Sequence, residues 1–287
     1  MMVSWRGSVR AILGESLSFI LVTNDDGYES PSLVPLIRAL GNLGRVRAVV
    51  PDRERSWIAK AITRWEDVSV ERADRDGCEI WRTSGCPADC TQLGVHTLFA
   101  ERPSLVVSGI NLGFNHGLAF FMSSGTVGGA TEGWIAGLPA IALSAGVLEK
   151  HDAWAAESRT PAAALGWERA AALSAEIVGV VVARGMPRGA DLLNVNFAFG
   201  AGPETPREIT ELGRVGYDRV FFERAPGIYF HEFGGMVRRS DASLRRADVV
   251  AAKRGVVSIT PVQLAHSIAL EAEDRAALER LDALERA

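Results

Sequence analysis

The chain of 287 residues carries only three cysteines, Cys78, Cys86 and Cys90. So small and odd a number cannot build a fully paired disulfide framework, and Cys86 and Cys90 lack a second ligand pair at zinc spacing; reduced thiols in a cytosol are expected. Long apolar runs are missing as well. Nothing reaches the roughly 18 to 20 residues that a membrane span needs. Near the start, Arg6 and Arg10 precede an apolar stretch broken by Gly14 and Glu15, which makes a poor signal-peptide core. A cytoplasmic protein that does not cross a membrane is therefore expected, with residues 1–16 as an N-terminal extension. Neither sign of charge dominates: 31 Lys and Arg stand against 35 Asp and Glu, a formal net charge of −4. Without a basic excess, charge alone does not suggest long nucleic acid as a partner. Fixed-period repeats and low-complexity linkers are also lacking.

What is present suits a large buried core, with 47% hydrophobic and 23% charged residues. Ser18 to Thr23 is a short β-rich run that ends in Asn24-Asp25-Asp26-Gly27, a buried strand reaching a polar turn. After Pro31, Leu33, Leu36, Ile37 and Leu40 recur at helical spacing, and Val46 to Val50 reads as a second strand stopped by Pro51. Strand, helix and strand in about thirty residues is a βαβ unit with a right-handed crossover. The alternation repeats, with strands at Leu105–Ser108, Ala140–Ser144 and Leu192–Val195 and helices at Pro87–Phe99, Thr126–Ala136 and Ala162–Ala183. The expected fold is α/β: a three-layer, Rossmann-like, mostly parallel sheet with helices on both faces. From Ile209 to Arg239, aromatic and charged residues with glycines suggest antiparallel hairpins outside that sheet. The expected organisation is an extension at 1–16, a catalytic core at 17–205, hairpin and oligomerisation elements with a final core segment at 206–264, and a helical tail at 265–287.

Ligands of open α/β sheets bind beyond the carboxyl ends of the strands. Three polar loops meet that condition: Asn24–Gly27, Asp52–Ser56 and the glycine-rich stretch Gly109–Gly125. Burying the adjacent Asp25 and Asp26 without a counter-charge raises at least one pKa, a conflict that a divalent cation resolves. Magnesium or manganese prefers oxygen ligands, and the Ser56 hydroxyl and Asn111 amide oxygen are available to join the pair. An Asp-Asp-Gly is equally common as a plain turn or helix cap. The loop from Ser108 to Gly117 offers backbone N–H groups and amides to an anion but matches neither a dinucleotide fingerprint nor a Walker loop. Ser124-Gly125-Thr126 opens a helix of small residues, whose first turn suits a phosphate or simply carries an N-cap. His116 is the one histidine inside a candidate loop, and a loop histidine is more often a packing residue than a base.

Taken in order, Asn24-Asp25-Asp26-Gly27, Pro51-Asp52-Arg53-Glu54-Arg55-Ser56, Pro87-Ala88-Asp89-Cys90, Ser108-Gly109-Ile110-Asn111 and Ser124-Gly125-Thr126 resemble the SurE family of metal-dependent nucleotidases. Leu193-Asn194-Val195-Asn196 and Ser258-Ile259-Thr260-Pro261 resemble it too. The resemblance implies a phosphatase acting on nucleoside monophosphates, a 5′-nucleotidase with 3′-monophosphates as further candidate substrates, and one divalent cation, Mg or Mn. It places Asp25, Asp26, Ser56 and Asn111 on metal-ligand positions, and Asn115 with Ser124, Gly125 and Thr126 where phosphate is held. Asp25, Asp26 and Asn115 are then the catalytic candidates. It also implies a homodimer or homotetramer with exchanged C-terminal elements. Departures from the family pattern are Ser32 and Trp57 where glycine is usual, Cys86 for threonine, Ala198 for proline, and an apolar Leu118–Met122. These bear on substrate range more than on the reaction. Two rival readings remain, a nucleotide-binding module without turnover and a glycosyltransferase-like enzyme whose aspartate pair holds a nucleotide phosphate.

Overall fold

The computed structural model describes residues 17–148, 151–232, 236–238, 246–265 and 267–279. The expected extension at 1–16 and the end of the tail lie outside them. A nine-stranded sheet forms the middle layer. Its strands are β1 (Ile20–Thr23), β2 (Val46–Pro51), β3 (Val70–Arg75), β4 (Cys78–Thr83), β5 (Leu105–Leu112), β6 (Ala140–Gly146), β7 (Leu192–Ala198), β8 (Arg207–Ile209) and β13 (Val257–Val262). Their order is β3-β4-β2-β1-β5-β6-β7-β13-β8. The six strands from β4 to β7 are parallel, while β3 pairs antiparallel with β4 and β13 antiparallel with β7. The mostly parallel sheet of the sequence reading is therefore present, with an antiparallel strand added towards each edge.

Period-two alternation in the strands supplies both faces. Ile20 and Val22 of β1 join one core with Val50, Val107, Ile141 and Val195. Leu33, Leu36 and Leu40 of helix α1 (Leu33–Gly41) and Trp167, Ile177 and Val181 of helix α6 (Ala164–Arg184) cover it. On the opposite face Phe19, Leu21, Val49 and Val106 pack with Cys90 and Val95 of helix α2 (Pro87–His96). Ala140, Ala142 and Leu192 pack there with Val127 and Ala130 of helix α4 (Gly125–Ile135). Three layers result. Glycine lets the last two helices come close: a β-carbon on Gly94 would stand 2.6 Å from the Leu21 side chain, and one on Gly133 would stand 2.7 Å from Val106.

Helix α2 starts on a cap built from Asp89, whose carboxylate accepts from the Cys86 N–H at 2.8 Å and from the Thr63 hydroxyl at 2.6 Å. This one side chain closes the helix and ties down the loop after β2. Replacing it, Asp89→Ala, is expected to cost about 1–3 kcal/mol, read as a lower denaturation midpoint with unchanged m-value.

The remaining strands lie outside the main sheet, as the aromatic and glycine pattern suggests. Strand β10 (Phe221–Ala225) and β11 (Ile228–His231) form an antiparallel hairpin, and β9 (Val215–Tyr217) pairs with β12 (Met236–Arg238). Helices α3 (Leu118–Ser123), α5 (His151–Glu157), α7 (Asp248–Lys253) and α8 (Ala272–Leu278) complete the described elements, with a 3-10 turn at Pro161–Ala163 leading into α6. No helix among the described residues is long and apolar enough to cross a membrane.

Candidate active site

Strand β1 sits where the winding of the sheet reverses: the chain proceeds from it to β2 and β4 on one side, then to β5, β6 and β7 on the other. Such a switch point opens a crevice at the carboxyl ends of the strands. The turn that enters it is clamped by Asn24, whose amide donates to the Gly27 carbonyl and whose oxygen accepts from the Gly27 N–H, both at 3.1 Å. Gly27 has φ +82°, and a β-carbon there would meet the Arg53 backbone at 2.6 Å. Only glycine fits.

The turn sets Asp25 and Asp26 into the crevice, 3% and 6% exposed. Three separate segments are fastened to them. The Thr126 hydroxyl donates to the Asp25 carboxylate, the Arg55 N–H donates to the Asp25 carbonyl at 2.7 Å, and the Leu112 N–H donates to the Asp26 carboxylate at 3.0 Å. The loop after β2, the end of β5 and the start of α4 thus converge on one pair of acids.

That pair is electrostatically frustrated. Burial pushes the Asp25 carboxyl up from 3.8 to about 6, against the hydrogen bonds from Thr126 that favour its ionised form. Asp26 is raised well above the ordinary range, by burial first and by the neighbouring Asp25 charge second. Among the described residues, neither carboxylate has an ion-pair partner. A hard cation removes both penalties at once, and the surrounding donors suit one. The Thr126 hydroxyl lies between the Asp25 carboxylate and the Asn111 amide oxygen, the latter at 3.3 Å, so the two oxygens face a common point. The Asn111 amide nitrogen donates to the Gly113 carbonyl at 2.7 Å, which orients that oxygen. Ser56 stands apart: its hydroxyl is on the surface, donates to the Glu54 carboxylate at 2.7 Å, and makes no hydrogen bond to either aspartate. Its neighbour Arg55 is the residue anchored to Asp25.

Ser124 caps α4, its hydroxyl accepting from the Val127 N–H at 3.0 Å. Gly125 follows where space has run out, since a β-carbon would stand 2.8 Å from the Asp25 side chain and 2.9 Å from the Arg55 carbonyl oxygen. The first turn of the helix thereby lies directly against the acid pair. Asn115 is held from behind by the sheet. Its N–H donates to the Asn196 side-chain oxygen at 2.7 Å, its carbonyl accepts from the Asn194 amide at 2.8 Å, and its own amide donates to the Ser144 hydroxyl at 2.9 Å.

Sequence reasoning assigned no role to Ser144, Asn194 or Asn196 on their own chemistry. A signal was there: two asparagines at alternate positions of an otherwise apolar strand share one buried face. Asp248 was also missed. Its carboxylate accepts from the N–H groups of Gly117, Gly213 and Val249, latching the glycine loop to α7. His116 is nearly enclosed, stacked on Phe114 at 4.6 Å between ring centroids, and burial lowers its pKa against the opposing pull of Asp248. That environment keeps a packing imidazole neutral.

Fold and site together define an open α/β protein of the kind that binds charged ligands at the carboxyl edge of its sheet, here around a buried acidic pair. Residues 20–219 match the family model described as Survival protein SurE. A protein named 5'-nucleotidase SurE from Methanocella arvoryzae is 36% identical over 248 residues, 85% of this chain and 91% of that protein. Another of that name from Geobacter metallireducens is 37% identical over 254 residues, again 85% and 91% of the two chains. The crystal structure of the SurE protein from Aquifex aeolicus aligns with a TM-score of 0.68 and 32% identity, covering 93% of this chain and 99% of that one. The chain belongs to the SurE family.

Proposed function

We propose that this chain is a divalent-metal-dependent phosphatase that hydrolyses nucleoside 5′-monophosphates, and 3′-monophosphates with them, to nucleoside and phosphate. The observation that carries the reading is the buried Asp25/Asp26 pair, in no ion pair among the described residues and set against the first turn of α4 in a SurE-family chain. Asp25, Asp26, Asn111 and, after a rotamer change that releases Glu54, Ser56 would hold one Mg or Mn ion. Bound there, the ion supplies positive charge to a phosphoryl oxygen and lowers the pKa of an adjacent water.

The chain's own groups do the rest. Whichever aspartate oxygen faces the water accepts its hydrogen bond and sets its line of approach. The water oxygen would bond to phosphorus as the ester P–O bond breaks, one of the water's protons passing to that aspartate and on to the departing ribose oxygen. Asn115, Ser124, Gly125 and Thr126 would face the remaining phosphoryl oxygens, Asn115 through the second proton of its side-chain amide and the others at the start of α4, where first-turn N–H groups have no carbonyl partner within the helix. Because Ser144, Asn194 and Asn196 fix Asn115 in advance, little reorganisation is needed as charge moves onto those oxygens.

Chelation with EDTA is expected to reduce phosphate release from AMP to background, and added manganese or magnesium to restore it. Full turnover in chelator would sink the metal-dependent reading. A cytoplasmic setting is part of the same proposal, supported by three unpaired thiols. So is a homodimer or homotetramer that exchanges C-terminal elements: Phe221, Ile228 and Tyr229 on the β10–β11 hairpin are more than half exposed, the kind of apolar face that a second copy covers.

A further inference from the structure

Beside the start of α4 stands a group of aromatic rings to which the reaction gives no task. Trp57 immediately follows Ser56 and adopts φ +58°, a left-handed conformation that a β-carbon resists. Its indole meets Phe120 of α3 edge-on at 5.7 Å between centroids, Tyr217 of β9 at 5.4 Å and His231 of β11 at 4.6 Å. Phe120 and Tyr217 also meet, at 6.2 Å. The cluster is fastened to the phosphate side of the site, since the Ala59 N–H donates to the Ser123 carbonyl at 2.9 Å, one residue before Ser124. Gly128 of α4 lets the same loop lie against the helix, its β-carbon position only 2.1 Å from the Ala59 carbonyl oxygen. Despite these neighbours Trp57 remains 39% exposed and Tyr217 37%. A large ring held in a disfavoured backbone conformation and still partly exposed is an expensive way to fill a loop and an effective way to present a π surface.

We propose that Trp57, backed by Phe120 and Tyr217, is the surface on which the planar ring of the leaving group stacks, so that this chain sorts phosphomonoesters by the size of that ring. The inference rests on the phosphatase reading and adds its specificity. Stacking uses the π face that every base has, so the wall tolerates different base edges while rewarding ring area. Purine nucleotides are then preferred to pyrimidine nucleotides, and both to ribose 5-phosphate, which carries no ring to stack.

The test is the ratio of kcat/KM for AMP to that for ribose 5-phosphate, measured with saturating manganese. Trp57→Gly suits the positive φ and is expected to lower this ratio about tenfold, equal to about 1.4 kcal/mol, mainly through KM for AMP. Trp57→Phe is expected to recover part of it. Phe120→Leu, which leaves the loop backbone alone, lowers the ratio in the same direction and decides the matter if Trp57→Gly fails to fold. Trp65→Ala serves as control, for that ring is 85% exposed elsewhere on the surface. An unchanged ratio in Trp57→Gly and Phe120→Leu, or an equal fall for both esters, would overturn the proposal. If the native protein hydrolysed no ester at all, the phosphatase reading would fail separately. Calorimetric affinities of native and Trp57→Gly protein for AMP and ribose 5-phosphate would then decide the wall by the same ratio.

Discussion

Asp26→Asn is expected to lose at least ~10³-fold in phosphate release from AMP while the metal-free protein becomes more stable, with a higher Tm at pH 7.5. Both effects have one cause. The buried acids repel each other and are poorly solvated, which is the property that makes them a cation site and a burden without one. An asparagine oxygen still accepts the Leu112 N–H, so the local hydrogen bond survives the change. The pH dependence has a definite sign. With its folded-state pKa raised from 3.8 to about 6, Asp25 contributes stability that is fully present below pH 3.8 and lost as the pH rises through about 6. Asp26 acts in the same direction. His116, with a lowered pKa, works oppositely, losing stability as the pH falls through its unfolded value of about 6.5. It is common to both proteins, so the difference in Tm between variant and native isolates the acid pair. That difference is expected to be larger at pH 7.5 than at pH 5 and to vanish or reverse when manganese is added, because ligand binding stabilises only the form that binds. A variant less stable than the native protein at pH 7.5 without metal would show that the pair is not frustrated.

Gly125→Ala is the second large effect expected. In an open helix position this exchange stabilises by up to about 1 kcal/mol through propensity. Here the new methyl would meet the Asp25 side chain at 2.8 Å and the Arg55 carbonyl oxygen at 2.9 Å, one of them backbone. Overpacking of this kind costs about 1–3 kcal/mol and must be relieved by moving either Asp25 or the loop after β2. Either movement separates the acid pair from the first turn of α4. A fall of ~100-fold or more in kcat/KM for AMP is expected, together with a lower urea midpoint. By contrast, nothing stands within 4 Å of a β-carbon on Gly216, so Gly216→Ala is a fair control for glycine replacement itself.

Much of this architecture is legible in the sequence because strong periodicities mark it. The runs before Asn24 and Pro51 and the apolar spacing of Leu33, Leu36 and Leu40 each report a local pattern that the sheet and its helices retain. The hairpin of β3 and β4 is invisible to that reasoning. The edge strand β3 alternates charged residues that pair with β4, as Arg72 does with Glu79 and Glu71 with Arg82, and β4 commits only Ile80 fully to the core, too little for an apolar period to declare itself. Helix α3 is only six residues long, too short for a helical period to declare itself, and reads as a plain apolar stretch. At the site, Asp25, Asp26 and Asn111 are legible as oxygen-bearing ligands, although Asn111, read as part of a loop, lies in β5, which runs on past Ser108 to Leu112. Their assembly is not, because the Thr126 hydroxyl reaches Asp25 across 101 residues of chain and Asn196 reaches Asn115 across 81. Those distances are closed by the parallel sheet, which brings the ends of β1, β5 and β7 to one edge.

The acid pair is the centre of the account, and metal-dependent turnover tests it most directly. Phosphate release from AMP is to be measured with chelator, with added manganese, and with Asp26→Asn under the same conditions. The expected result is background release in chelator, full release with manganese, and near-background release from the variant with manganese present. Full release from native protein in chelator, or from Asp26→Asn with manganese present, would contradict it.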